Sequence, residues 1–172
     1  IYCESIGMEY MYIRHPERVN WIQKWINKNG NHPNFNKEQK THILKKLNEA
    51  VTFEQFLHTK YVGQKRFSLE GGESLIPAID ALIETAALDG VQQFVFGMAH
   101  RGRLNTLTNI FGKSAADIFS EFDGKDYEEE VFDGDVKYHL GWTSNRMTDS
   151  GLWVNLNIAV SYTHLRAHET VR

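Results

Sequence analysis

A short apolar run, a glycine turn and a helical repeat, in that order, do most to restrict the fold of this chain. Residues 94–96 are apolar, and Gly97 and Gly102 flank the histidine and arginine that follow them. Apolar residues then recur at helical spacing, at Leu104, Leu107, Ile110 and Phe111. This order predicts a strand, a tight turn and a helix. In open α/β sheets ligands bind at such a junction, so His100 is a candidate site residue.

A second histidine lies in another glycine-bounded segment. His139 falls within residues 134–141, which begin and end with glycine. A zinc site is a poor fit, because Cys3 is the one cysteine and no His-Glu-x-x-His pair occurs. The residues alone therefore indicate two candidate histidines and no assigned metal.

Arg66 is a candidate for binding an anion. It precedes Gly71 and Gly72, and apolar residues then recur at helical spacing over residues 75–86, with Pro77 in the first turn. Glycines let a ligand approach the backbone closely, and a helix N-terminus favours anions. The planar guanidinium can bond two oxygens of a phosphate or carboxylate. The alternative, an ordinary surface arginine, is favoured by these residues taken alone.

The first third of the chain has a helical pattern. Apolar residues recur at helical spacing after Pro16 and again after Asn36. The capping-box pattern at residues 52–55 predicts that a short helix begins there. Because of this helical pattern, we expect residues 1–62 to form a helical N-terminal segment. Nothing in residues 1–60 indicates a reaction.

Composition excludes several classes of protein. The 172 residues are 41% hydrophobic, which is typical of a folded globular chain. A net charge of −3 gives no general attraction to nucleic acid. No apolar run approaches the roughly 18 residues that a membrane span requires.

Three motifs, taken together in this order, resemble the first, decarboxylating component of the 2-oxoglutarate dehydrogenase complex. They are Lys-Arg-Phe-Ser-Leu-Glu-Gly-Gly at residues 65–72, the block with His-Arg-Gly-Arg at residues 97–105, and the block with Lys-Tyr-His at residues 134–141. The likeness extends from about Ile6 to Ala159. It implies an α/β fold in which residues 63–159 form the first part of a parallel-sheet domain that binds thiamine diphosphate.

The resemblance also implies roles for five residues. His100 and His139 would be catalytic and would face the substrate and the reactive ring of the cofactor. Arg66 would help to hold thiamine diphosphate, and Phe67 would line the same pocket. Thr143 matches a small hydroxyl residue of the cofactor site.

The implied activity is the oxidative decarboxylation of 2-oxoglutarate in the tricarboxylic acid cycle. In this family an enamine forms on thiamine diphosphate after carbon dioxide leaves. The succinyl group then passes to the lipoyl group of the dihydrolipoyl succinyltransferase component. A homodimer in the bacterial cytoplasm is the implied setting, or the mitochondrial matrix if the source is eukaryotic.

Two departures from the family pattern limit these expectations. The Gly-Asp-Gly magnesium motif is missing, so we expect the magnesium ligands outside this chain and assign none to Asp135. Residues 160–172 lose the likeness, and we expect a non-native tail there. The chain is thus expected to be an incomplete, inactive fragment. Two alternatives stay open: a related thiamine-dependent 2-oxo acid decarboxylase, or a non-catalytic interaction or pseudogene fragment.

Overall fold

The computed structural model describes residues 7–63, 66–123 and 141–159. By their contacts these residues divide into two compact units, one within Ile1–Thr41 and the other within His42–Arg172. The expected boundary between residues 62 and 63 stays a prediction. Among the candidates, His139 and Asp135 lie outside the described residues, as do Cys3 and residues 160–172.

Two helices account for most of the first third. Helix α1 spans Pro16–Asn29, and Gly30 ends it in the left-handed conformation with φ 59°. Helix α2 spans Lys37–Lys60. Both confirm the helices expected after Pro16 and Asn36.

The capping box of α2 lies at its true N-terminus. The Asn36 side chain accepts from the Gln39 amide at 2.8 Å, and the Gln39 side chain accepts from the Asn36 amide at 3.0 Å. The start predicted at residues 52–55 is wrong, since these residues lie inside α2. A four-residue capping pattern has no capping role in a helix interior, where the backbone amides already donate to the preceding turn.

The remaining elements follow in chain order. They are α3 (Leu75–Leu88), β1 (Gln93–Phe96), α4 (Arg103–Asn109), α5 (Ala115–Asp123), β2 (Trp142–Met147) and β3 (Trp153–Ile158). The predicted strand, turn and helix around His100 are therefore confirmed as β1, the loop after it and α4. Pro77 lies in the first turn of α3, where its missing amide costs little.

The three strands form one mixed sheet in the order β1-β3-β2. Strand β1 pairs with β3 in parallel, and β2 pairs with β3 antiparallel. The α/β class is confirmed, and the expected parallel pairing is found between β1 and β3 but not between β2 and β3. Residues 148–152 close a tight turn, in which the Thr148 amide donates to the Leu152 carbonyl at 2.8 Å. Parallel neighbours need a much longer crossover, so this connection forces an antiparallel pair.

The core of the second unit lies against one face of this sheet. Its buried apolar residues come from β1, from β3 and from helices α2 to α5, and include Ala50, Leu57, Ile76, Ile83, Phe94, Leu104, Leu107, Ile118, Val154, Leu156 and Ile158. Side chains alternate along β3, so the opposite face of the sheet carries its more exposed residues. Of the helices described, none has both the length and the apolar character that crossing a bilayer requires.

Candidate functional site

Two of the predicted site residues are in direct contact. The rings of Phe67 and His100 stack with centroids 4.8 Å apart and planes inclined by 26°. His100 lies in the exposed loop after β1, and Phe67 has a left-handed backbone with φ 47°. The Gly102 amide donates to the Phe67 carbonyl at 2.9 Å, which joins the two loops next to the ring pair. The structure thus brings a histidine and an aromatic ring together beyond the carboxyl end of β1.

Gly102 fixes how closely the two loops approach. Its φ is 75°, and a Cβ at this position would lie 2.5 Å from Leu69 Cδ1. Glycine adopts this conformation without a steric penalty, and it leaves room for the leucine. The loop that carries His100 therefore packs directly on the segment that carries Phe67.

Arg66 points toward α2. Its Nη1 donates to Glu54 Oε2 at 3.0 Å and to the Glu54 carbonyl at 3.1 Å, and its Nη2 donates to His58 Nδ1 at 3.2 Å. The side chain is 12% exposed. The positive charge of Arg66 is therefore already balanced by a carboxylate of the same unit.

Glu54 is the residue that sequence reasoning missed. Besides Arg66, its carboxylate accepts from Ser68 Oγ at 2.8 Å, the Leu69 amide at 3.1 Å and Asn105 Nδ2 at 3.0 Å. The residue is buried, with 3% of its surface exposed. One carboxylate thus connects α2, the segment before α3 and helix α4.

The position of Glu54 in the sequence carried a usable signal. Ala50, Phe53 and Leu57 form the buried stripe of α2, and Glu54 lies on that stripe, four residues after Ala50. A charge on an apolar stripe must find hydrogen-bond partners inside the protein, because burying it unpaired is expensive. Interpreting residues 52–55 as a capping box concealed this signal.

The glycines before α3 use their amides internally. The Gly71 amide donates to Glu73 Oε1 at 3.0 Å, and the Gly72 amide donates to the Leu69 carbonyl at 2.8 Å. Hydrogen bonds from the backbone amides of Glu73 and Gly71 hold the pKa of the Glu73 carboxyl below its usual value. In this structure a side chain of the turn and a backbone carbonyl therefore accept from these two amides.

The arginines beside His100 hold backbone carbonyls. Arg101 donates to the Glu70 carbonyl at 2.8 Å. Arg103 is 1% exposed and donates to the Ala159 carbonyl at 2.6 Å and to the Met98 carbonyl at 3.3 Å. Burial lowers the pKa of the Arg103 guanidinium. These contacts tie the loop that carries His100 to the turn before α3 and to the ends of β1 and β3.

Thr143 lies on strand β2 and not in the loops that carry Phe67 and His100. It lies on the more exposed face of β2, and its hydroxyl donates to Asn157 Oδ1 at 2.9 Å. Asn157 in turn donates to Asn155 Oδ1 at 2.5 Å, and Asn155 donates to Asn145 Oδ1 at 2.9 Å. These contacts place Thr143 at the end of a row of polar side chains across β2 and β3.

The described residues offer part of a site for thiamine diphosphate. The ring pair of Phe67 and His100 offers a flat aromatic surface and ring nitrogens, which suit an aromatic cofactor ring. Arg66 pairs with Glu54, and its expected contact with the diphosphate stays a prediction. Within the described ranges, no group of three or more His, Cys, Asp or Glu residues could hold a metal ion. A complete site for the diphosphate and its magnesium is therefore not formed by these residues.

Fold and loops together define a segment of an α/β protein with a candidate ligand site at the end of β1. No protein-family model matches the chain. Several bacterial proteins named 2-oxoglutarate dehydrogenase E1 component do match. The relative from Cupriavidus necator is 51% identical over 95% of this chain, and the one from Azotobacter vinelandii is 46% identical over 95%. The relative from Coxiella burnetii is 45% identical over 96%.

These matches cover almost all of this chain but little of each relative. The chain spans 17% of the length of the first two proteins and 18% of the third. Identity this high over nearly the whole chain shows common ancestry with these proteins. The chain belongs to the family of 2-oxoglutarate dehydrogenase E1 components, of which it represents one stretch.

Proposed function

We propose that this chain is part of an enzyme that decarboxylates 2-oxoglutarate oxidatively and transfers the succinyl group to a lipoyl group. The observation that carries the proposal is the identity of 51% over 95% of the chain with a protein named 2-oxoglutarate dehydrogenase E1 component. The stacked Phe67 and His100 support it, because they provide an exposed imidazole at the place where α/β sheets bind ligands.

His100 is the residue to which we assign chemistry. An imidazole can donate a hydrogen bond to a developing oxyanion or to a substrate carboxylate, and it can carry a proton near neutral pH. Stacking on Phe67 restrains the plane of the imidazole ring. We assign His139 the same kind of role from its motif, and Thr143 a lesser one.

Thiamine diphosphate is the cofactor that we propose, and when bound it would supply the electron sink for decarboxylation. Phe67 and His100 would lie against its rings. Arg66, which Glu54 holds in place, would contribute to binding the diphosphate, and we assign the magnesium ligands to residues outside this chain. The 172-residue chain by itself is expected to be inactive, since the Gly-Asp-Gly motif is missing from its sequence.

The partners follow from the same proposal. They are 2-oxoglutarate, the lipoyl domain of a dihydrolipoyl succinyltransferase and a second copy of the intact protein. A bacterial cytoplasm is the proposed location, supported by the bacterial origin of the relatives named above.

The test uses the intact protein with thiamine diphosphate and magnesium, assayed on 2-oxoglutarate, pyruvate and 2-oxoadipate. We expect 2-oxoglutarate to be turned over fastest. His100→Ala should lower turnover about a hundredfold, the scale of acid–base and oxyanion contributions. His15→Ala, which changes an exposed histidine beside α1, is the matched control and should leave turnover unchanged.

Three results would contradict parts of the proposal. Faster turnover of pyruvate or 2-oxoadipate would assign the protein to a related 2-oxo acid decarboxylase. Absence of turnover on all three substrates would favour a non-catalytic interaction protein. Unchanged turnover in His100→Ala would remove this residue from the mechanism.

A further inference from the structure

We propose that Glu54 is a positioning residue for His100, acting through the two loops that meet at the ring pair. This inference rests on the proposed function, since it assumes that His100 serves the decarboxylation. Its basis is the number and kind of groups that this one buried carboxylate holds.

The first connection runs through the segment that carries Phe67. Glu54 accepts from Arg66 on one side of Phe67 and from Ser68 and Leu69 on the other. Phe67 has an unfavourable left-handed backbone for a residue with a side chain, with φ 47°. Bonds on both flanks to the same carboxylate offset that strain. They fix the direction in which the Phe67 ring leaves the backbone.

The second connection runs through the helix after His100. Asn105 Nδ2 donates to Glu54 Oε1 at 3.0 Å and to the Ala50 carbonyl at 2.9 Å. Asn109 donates to Asn105 Oδ1 at 2.7 Å, which fixes the orientation of the Asn105 amide. Asn105 is fully buried in α4, and α4 begins directly after the loop of His100. Glu54 therefore anchors both partners of the stack.

The chemistry of the group makes Glu54 hard to replace. An ionised carboxylate only accepts hydrogen bonds. Its four partners here, on Arg66, Ser68, Leu69 and Asn105, all act as donors. A glutamine of the same size would turn one acceptor oxygen into an NH₂ donor. That donor would face Arg66 and Ser68, or else Leu69 and Asn105. The first orientation weakens the connection through Phe67, and the second weakens both connections.

The experiment compares Glu54→Gln with Asp80→Asn in the intact protein loaded with cofactor. Asp80 is also a buried helix carboxylate, but its partners are Arg146, Lys46 and His42, away from the Phe67–His100 pair. We expect Glu54→Gln to lower kcat at least tenfold per folded protein, with the fold checked by circular dichroism. Asp80→Asn should keep kcat within about twofold of the parent value, even if it lowers the melting temperature more than Glu54→Gln does.

A double-mutant cycle separates positioning from general stability. If Glu54 acts through His100, Glu54→Gln should lower kcat tenfold in the parent protein but less than threefold in the His100→Ala variant. Equal effects in both backgrounds would overturn the inference. Ser68→Ala removes a single donor and should give a smaller loss of kcat, which keeps the test open if Glu54→Gln does not fold.

The two proposals fail in different ways. If the parent protein does not turn over 2-oxoglutarate, the proposed function is wrong. If the parent protein is active and Glu54→Gln retains full kcat, the function stands and the positioning role is wrong.

Discussion

Glu54 and Asp80 are both carboxylates buried on the apolar face of a helix, with 3% and 1% of their surface exposed. Each is satisfied, but by different partners. Glu54 accepts from one arginine, one hydroxyl, one amide side chain and one backbone amide. Asp80 is held by basic side chains. The comparison separates two uses of a buried carboxylate within one unit of the chain.

Asp80 joins α2 and α3 to the sheet. Arg146 Nη2 on β2 and His42 Nε2 on α2 each lie 2.6 Å from its oxygens, and Lys46 Nζ lies at 3.6 Å. Burial alone would raise the pKa of Asp80. The hydrogen bonds from His42 and Arg146 and the charges of Arg146 and Lys46 outweigh burial and hold that pKa below its usual value.

The difference lies in what each carboxylate holds. The partners of Asp80 are side chains on regular elements, so its cluster fastens helices to a strand. The partners of Glu54 include loop backbone and the neighbours of a strained residue, so its contacts determine the shape of the loops. We infer that loss of Asp80 mainly lowers stability, whereas loss of Glu54 mainly disturbs the candidate site.

The largest expected effect on stability is that of Asp80→Ala. The change leaves the basic groups of Arg146, His42 and Lys46 beside one another without their carboxylate. Breaking a buried ion pair in this way costs about 3–5 kcal/mol. We expect faster hydrogen exchange of the α3 amides in the intact protein, with kcat of the surviving folded protein unchanged. Asp149→Ala is the matched control, because its carboxylate is 70% exposed, and it should cost less than about 1 kcal/mol.

Gly102→Ala should have a smaller effect on stability and should also lower turnover. The left-handed backbone and the contact with Leu69 together should cost about 2 kcal/mol. Gly112→Ala separates these two causes, because Gly112 has φ 69° but a methyl group there would meet no atom within 4 Å. The control should cost about 1 kcal/mol, for the backbone alone, and should leave kcat unchanged. Equal losses in the two variants would show that Leu69 accommodates the methyl group.

The smallest effect is a dependence of stability on acid pH. Because the folded pKa of Asp80 is lowered, its contribution is fully present above the unfolded value of about 3.9. That contribution is lost as the pH falls through the lowered folded pKa. Urea denaturation between about pH 6 and pH 3 should therefore show a weaker acid dependence for Asp80→Asn than for the parent protein. Identical pH profiles would contradict this assignment.

Local patterns in the sequence were sufficient for the elements that carry the candidate site. The spacing of Leu104 and Leu107 predicted α4, and the apolar run at residues 94–96 predicted β1, because each pattern depends on near neighbours in the chain. The direction of β2 was not predictable in the same way, since it depends on its pairing with β3. The expectation of parallel strands came from a family resemblance rather than from the turn at residues 148–152.

The site itself was only partly predictable. The motifs at residues 65–72 and 97–105 indicated Phe67 and His100, and the structure places their rings together. The place of Glu54 on the apolar stripe of α2 indicated its burial, but its four partners are spread over residues 66–105 and no local pattern connects them. The roles of Arg66, His139 and Thr143 stay predictions that rest on their motifs.

The hydrogen-exchange rates of two backbone amides test most directly whether Glu54 holds the loops of the candidate site. The Leu69 amide donates to Glu54 Oε1, and the Gly102 amide donates to the Phe67 carbonyl, so both report on the loops that Glu54 holds. In the intact protein we expect Glu54→Gln to speed exchange of both amides at least tenfold, while Asp80→Asn leaves them unchanged. Unchanged exchange at both amides in Glu54→Gln would show that the loops keep their shape without this carboxylate.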